Sequence, residues 1–210
     1  YEQALKWASC PTLFANLGAV LLVQEQYAAA ARQCDAALQL DSENYAAWMN
    51  RGLALEAIER SLDAIDCYDR GVSLQPDRCE PHLLKAQTLR KLSHWQPAVE
   101  ACQKALELNP ENAEAWYLKG VCLYRAMRAE EAKPCFEKTL ALKPDHSPAY
   151  FSHGNVQLKT GHYAEAIASY DMALRFQPHC LEALNNRGIA CGKMGNSHEA
   201  KRSYQKALRL

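Results

Sequence analysis

Between Ala113 and His146 the apolar and small residues fall on two separate stripes. Trp116, Gly120, Leu123 and Met127 recur at three- and four-residue steps, the spacing of one face of a helix. Polar and turn-prone residues around Arg128 interrupt that face. A second stripe of Ala132, Phe136, Thr139 and Leu140 follows and ends at Leu142. Lys143-Pro144-Asp145 then closes it, because proline disfavours helical geometry in the residue before it. The pattern predicts two antiparallel helices joined by a short turn.

The same pattern recurs with a step of 34 residues and no insertion. A small residue stands at Gly18, Gly52, Ala86, Gly120, Gly154 and Gly188, and an alanine at Ala30, Ala64, Ala98, Ala132, Ala166 and Ala200. Proline keeps the step at Pro76, Pro110, Pro144 and Pro178. A period of this length predicts an array in which each helix pair hides its apolar face on its neighbours. The frame gives copies at 11–44, 45–78, 79–112, 113–146, 147–180 and 181–210, with residues 1–10 holding the end of a preceding second helix at Tyr1 to Leu5. Function is then expected on a surface rather than in a cleft.

The repeat resembles the tetratricopeptide family, which carries an aromatic residue, Leu-Gly and Tyr in its first helix, then Ala, an aromatic and Ala, with Pro before the next unit. Phe14, Trp48, Trp116 and Tyr150 match the opening aromatic position, whereas His82 and Leu184 depart from it. The resemblance covers residues 11–210 and implies an all-α, right-handed superhelical solenoid of tandem helix-turn-helix units. The family's signature residues pack helices, so they imply a fold and leave the partner unnamed.

One departure leads to a structural expectation. The leucine that the family places before the glycine is kept only at Leu17; the later copies have Arg51, Lys85, Lys119, His153 and Arg187. Sixteen residues earlier stand Asp35, Asp69, Gln103, Glu137 and Asp171. These pairings predict a ladder of polar contacts between successive copies: Asp35–Arg51, Asp69–Lys85, Glu137–His153 and Asp171–Arg187.

Charge and cysteine content exclude several classes. Basic and acidic residues number 24 each. Up to Ala105 there are ten basic and thirteen acidic residues, and after it fourteen and eleven. No clustered basic face of the kind a nucleic-acid binder needs is present. The longest apolar run, Leu17 to Val23, is too short to cross a membrane. Nine cysteines, an odd number without any C-x-x-C, form no disulfide pattern; Cys34, Cys102, Cys122 and Cys191, at inward positions of the repeat, read as small buried hydrophobes in a reducing, cytoplasmic setting. The seven histidines and the cysteines show no zinc-ligand spacing, and the glycines form no phosphate loop. Neither catalytic residues, a metal nor a cofactor is expected.

A protein or peptide partner is expected on the first helices, which line the concave side of such arrays. In copies three to six the positions facing that groove include Arg90, Lys91, Tyr117, Tyr124, Arg125, Phe151, Asn155, Lys159, Asn185 and Lys193. Lys91, Arg125, Lys159 and Lys193 make a basic column with a 34-residue step, flanked by aromatic area, which suits a partner with acidic groups. Some family members grip the C-terminal carboxylate of a chaperone with Lys-x-x-x-Asn, a second Asn and a further basic pair. Asn155 and Asn186 match two of those positions, but Phe151 stands where the first lysine belongs, so the resemblance does not imply that clamp. Two other roles fit the same pattern: the targeting segment of a larger enzyme such as a glycosyltransferase, and an architectural array associating end to end.

Overall fold

The computed structural model describes residues 10–210, and Tyr1 to Leu5 lie outside the described residues. The first three hairpins are α1 (Pro11–Val23) with α2 (Tyr27–Leu40), α3 (Tyr45–Ala57) with α4 (Ser61–Leu74), and α5 (Cys79–Lys91) with α6 (Trp95–Leu108). The next three are α7 (Ala113–Arg125) with α8 (Ala129–Leu142), α9 (Ser147–Lys159) with α10 (Tyr163–Phe176), and α11 (Leu181–Lys193) with α12 (Ser197–Ala207). No strand occurs among the described residues. The helices form two compact units, one reaching Pro110 and the other running from Glu111 to Leu210. Within each unit, a second helix packs on its own first helix and on the first helix of the following pair.

Local chemistry sets the helix ends. Asn44, Asn112 and His146 each accept the backbone N–H three residues on, at 3.0, 3.0 and 3.1 Å, which satisfies a donor that the helix cannot. At the other end of every first helix one residue turns left-handed: Glu25, Glu59, Ser93 and Met127 at φ 59, 64, 60 and 65°, then Gly161 and Gly195 at 82 and 78°. The N–H of the next residue reaches back five positions, as in Gln26 to Leu21, Arg128 to Leu123 and Asn196 to Cys191, all at 2.9 Å. This is the Schellman closure, and its left-handed residue favours glycine. Four hairpins use another residue there, at a local cost of about 1–2 kcal/mol each.

The 34-residue step of small residues has a steric origin. A Cβ on Gly52, Gly120, Gly154 or Gly188 would lie 2.5–2.8 Å from the ring of Tyr68, Phe136, Tyr170 or Tyr204, sixteen residues on. The glycine therefore makes room for a ring on the partner helix. Tyr68, Phe136 and Tyr170 are fully buried. In the third hairpin the ring is replaced by Cys102 and the glycine by Ala86, both buried, so volume lost on one helix is regained on the other. Gly71, which costs helix propensity, leaves room for Met49: a Cβ there would lie 2.7 Å from the Met49 Sδ. Cys34, Cys102, Cys122 and Cys191 are buried, as their inward helix positions predict, whereas Cys10, Cys79 and Cys180 are only half-buried.

All four rungs of the expected ladder form. Arg51 meets Asp35 at 2.6 Å, Lys85 meets Asp69 at 2.5 Å, Arg187 meets Asp171 at 2.7 Å and His153 lies 3.7 Å from Glu137. Arg51 also donates to Cys67 Sγ at 3.2 Å, and Arg187 to Ser203 Oγ at 2.7 Å, so each guanidinium ties three helices. The carboxylates are about half exposed, which limits each rung to roughly 0–1 kcal/mol.

The histidine rung differs from the rest. Its Nε2 is buried without a hydrogen bond, while its Nδ1 lies 3.4 Å from Ser169 Oγ. Burial holds His153 below its ordinary pKa of 6.5, against the opposing field of Glu137. At neutral pH it is therefore uncharged in the fold. As pH falls below about 6.5 the unfolded chain takes up a proton more readily than the folded one, and stability is lost. Thermal melts between pH 7.5 and pH 5 are expected to show a larger acid-induced drop for wild type than for His153→Gln. Equal drops would mean that His153 does not contribute.

Candidate functional site

The second unit presents a wall built from α7, α9 and α11. Arg125, Lys159 and Lys193 stand at equivalent positions in their last turns, exposed, and none has a carboxylate partner among the described residues. Cations at helix C-termini also complement the helix dipole, which favours lysine there whatever else it does. The Lys159 ammonium lies 5.4 Å above the Tyr124 ring and 3.2 Å from Met127 Sδ. Neither neighbour cancels its charge.

Aromatic area adjoins these cations. Tyr117 is half-buried, with its ring 4.8 Å from the His146 imidazole and 6.1 Å from Phe136. Phe151 packs 6.1 Å from the Tyr170 ring and joins the core beneath the wall. A chain of amides crosses from α11 to α9. Asn185 donates to Asn186 at 3.3 Å, and Asn186 donates to Asn155 Oδ1 at 2.8 Å. The same oxygen accepts the Tyr170 hydroxyl at 2.8 Å. Burial pushes that hydroxyl well above its ordinary pKa, so it remains a donor. With both lone pairs of Asn155 Oδ1 engaged, its side chain can offer a ligand only N–H donors. Arg125, Lys159, Lys193 and the amides of Asn155 and Asn185 thus present cations and donors, which recognise acceptors such as carboxylates.

Arg90 and Lys91 belong to the first unit and behave differently from the sequence expectation of an open basic column. Lys91 is paired with Glu56 at 2.5 Å, and Glu56 also accepts the Tyr68 hydroxyl at 3.1 Å. Its charge is thus compensated from the preceding hairpin. Arg90 is half-buried, and its Nε has no hydrogen-bond partner. Tyr117, Tyr124, Arg125, Phe151, Asn155, Lys159, Asn185 and Lys193 all lie in the second unit.

Two features escaped the sequence reading. Glu56, four residues beyond Gly52, is the partner of Lys91; their 35-residue separation, one step of the repeat plus one, was the available signal. Met127 was assigned to the apolar face of its helix, yet it sits left-handed in the turn and 73% exposed. Gly161 and Gly195 at the same step marked that position as a turn.

Models of the tetratricopeptide repeat match residues 16–78, 83–147, 128–179 and 151–191, and a second such model matches residues 181–210. The chain belongs to the tetratricopeptide repeat family, whose fold is typical of protein-interaction scaffolds. Among curated proteins, the STIP1 homolog of Dictyostelium discoideum is 28% identical over 85 residues, which are 40% of this chain and 15% of that protein. The chain thus matches only a small part of that relative's length. Among solved structures, MamA superposes with a TM-score of 0.75 at 24% identity, covering 80% of this chain and 92% of its own. PilF of Pseudomonas aeruginosa gives 0.81 at 16% identity, with 95% and 91% covered. YrrB, described as a tetratricopeptide-repeat protein with an unusual peptide-binding site, gives 0.73 at 20% identity, with 85% and 92% covered. At these identities the likeness is one of fold. Among the described residues no helix is long and apolar enough to cross a membrane.

Proposed function

We propose that the chain is a non-catalytic scaffold whose second unit binds an extended, acidic peptide segment of a protein partner along α7, α9 and α11. The observation that carries this reading is the row of three exposed cations, Arg125, Lys159 and Lys193, none of them paired with a carboxylate among the described residues. Tyr117, Tyr124 and Phe151 supply contact area, and Asn155 and Asn185 supply hydrogen bonds. Helices in contact lie roughly 8–10 Å apart, and a peptide in polyproline II geometry rises about 3.1 Å per residue with about three residues per turn, so every third side chain returns to the same face. Carboxylates three residues apart in the partner would therefore meet successive cations. YrrB's description as a peptide binder supports a peptide ligand for this fold.

Selection of a displayed random-peptide library on the wild-type chain tests the proposal. Enriched sequences should carry an excess of Asp and Glu. Their affinity should fall at least ~100-fold in the Arg125→Glu, Lys159→Glu double variant, since each charge-assisted contact is worth roughly 1.5–3 kcal/mol and tenfold in affinity is about 1.4 kcal/mol. Helicity should not change, because neither side chain is in the core. Peptides without acidic bias, or with equal affinity for the double variant, would remove this wall as the site.

A further inference from the structure

The turn that ends each first helix requires one left-handed residue, and the three turns of the second unit meet this requirement unequally. Gly161 and Gly195 supply it without strain. Met127 supplies it at φ 65°, where L side chains are rarely found, and leaves its side chain 73% exposed. Among the six equivalent residues it is the only large apolar one. Local stability favours glycine here, and burial does not explain the methionine. Glu25, Glu59 and Ser93 bear the same strain in the first unit, so what sets Met127 apart is the large apolar side chain it holds exposed.

The surroundings of the side chain give it a role. Met127 Sδ lies 3.2 Å from Lys159 Nζ, and the same ammonium lies over the Tyr124 ring at 5.4 Å. A thioether and an aromatic face steer an ammonium but leave it positive. The result is a cation framed by soft apolar surface, open to solvent and, among the described residues, without a carboxylate partner. A carboxylate arriving at Lys159 brings the residue next to it against Met127. Methionine, unbranched and polarisable, accommodates apolar side chains of varied shape.

We infer that Met127 is an apolar anchor of this wall, and that the segment it receives is a peptide carrying an apolar residue beside the acidic residue bound by Lys159. This inference rests on the peptide-binding reading of the second unit and adds to it the character of the residue adjoining the charge.

The test uses the most enriched peptide of the library selection, synthesised with a fluorescein label, in titrations followed by anisotropy. Met127→Gly is expected to melt higher than wild type, because the strained residue is replaced by glycine, and to bind the peptide about tenfold more weakly, the loss typical of one truncated anchor. Met127→Leu should bind close to wild type. Replacing the peptide's apolar neighbour with alanine should weaken wild type by a similar factor and Met127→Gly scarcely further, since the two side chains form one contact. If Met127→Gly binds as wild type does while Arg125→Glu, Lys159→Glu does not, this inference fails and the peptide site stands. If the double charge reversal also binds normally, or no peptide is enriched, both fail.

Discussion

Phe136→Ala is expected to destabilise the second unit by about 3–5 kcal/mol. The ring is fully buried and lies against the backbone of Gly120, where an added Cβ would come within 2.8 Å of it. Truncation leaves a void between α7 and α8 that Gly120, having no side chain, cannot fill. A loss of this size is a large share of the roughly 5–15 kcal/mol that holds a typical domain together. Urea unfolding followed by circular dichroism measures it. The third hairpin indicates a milder way to lose the ring, because Ala86 and Cys102 fill the same space there. Phe136→Cys combined with Gly120→Ala should lose less than Phe136→Ala. A loss under about 1 kcal/mol for Phe136→Ala would show that the helices close over the void.

The second large effect comes from adding an atom rather than removing several. At a solvated helix position, Gly→Ala is expected to stabilise by about 1 kcal/mol. Gly192, in α11, is such a position, since a Cβ there meets nothing within 4 Å. Gly154, in α9, is its opposite: a Cβ would lie 2.7 Å from Tyr170 Cε1 and 2.9 Å from Cδ1. The ring cannot retreat freely, because it is fully buried and its hydroxyl is bonded to Asn155 at 2.8 Å. Gly154→Ala should therefore cost stability, with overpacking of about 1–3 kcal/mol outweighing the gain in propensity. Loss of the Tyr170–Asn155–Asn186 bonds would accompany it, so peptide binding on the wall should weaken as well. Opposite signs for Gly154→Ala and Gly192→Ala in thermal melts are the expected outcome. A stabilised Gly154→Ala would mean that α9 and α10 separate readily.

Much of the fold could be read before any coordinates. A strict 34-residue step, with apolar residues at helical spacing inside it, admits only helix pairs stacked in register. The ladder was legible for the same reason. Residues sixteen apart across the boundary of two copies had to meet if the register held, and Asp35–Arg51, Asp69–Lys85 and Asp171–Arg187 do so within 2.7 Å. His153 was legible as a rung but not as a buried, unsatisfied one, because its exposure depends on the packing of α9 against α8 and α10.

The candidate site was only half legible. Periodicity placed Arg125, Lys159 and Lys193 in one row, since equivalent positions of stacked units share a surface. It could not separate those three from Lys91, which occupies the same position but is neutralised by Glu56, a residue 35 positions earlier. Nor did it reveal that Asn155 and Asn186 are bonded to each other, or that the helix ends before Met127 and leaves that side chain beside Lys159.

The order of apolar and polar residues alone determined the paired helices, their stacking and the row of cations, because these follow from backbone periodicity and from one register repeated six times. The tertiary structure decided which charges are compensated, which rings fill the space of which glycines, and which residue bears the left-handed turn. Those outcomes depend on atoms brought together from different copies at distances of a few ångströms. A repeat shared by all copies cannot specify what differs between them.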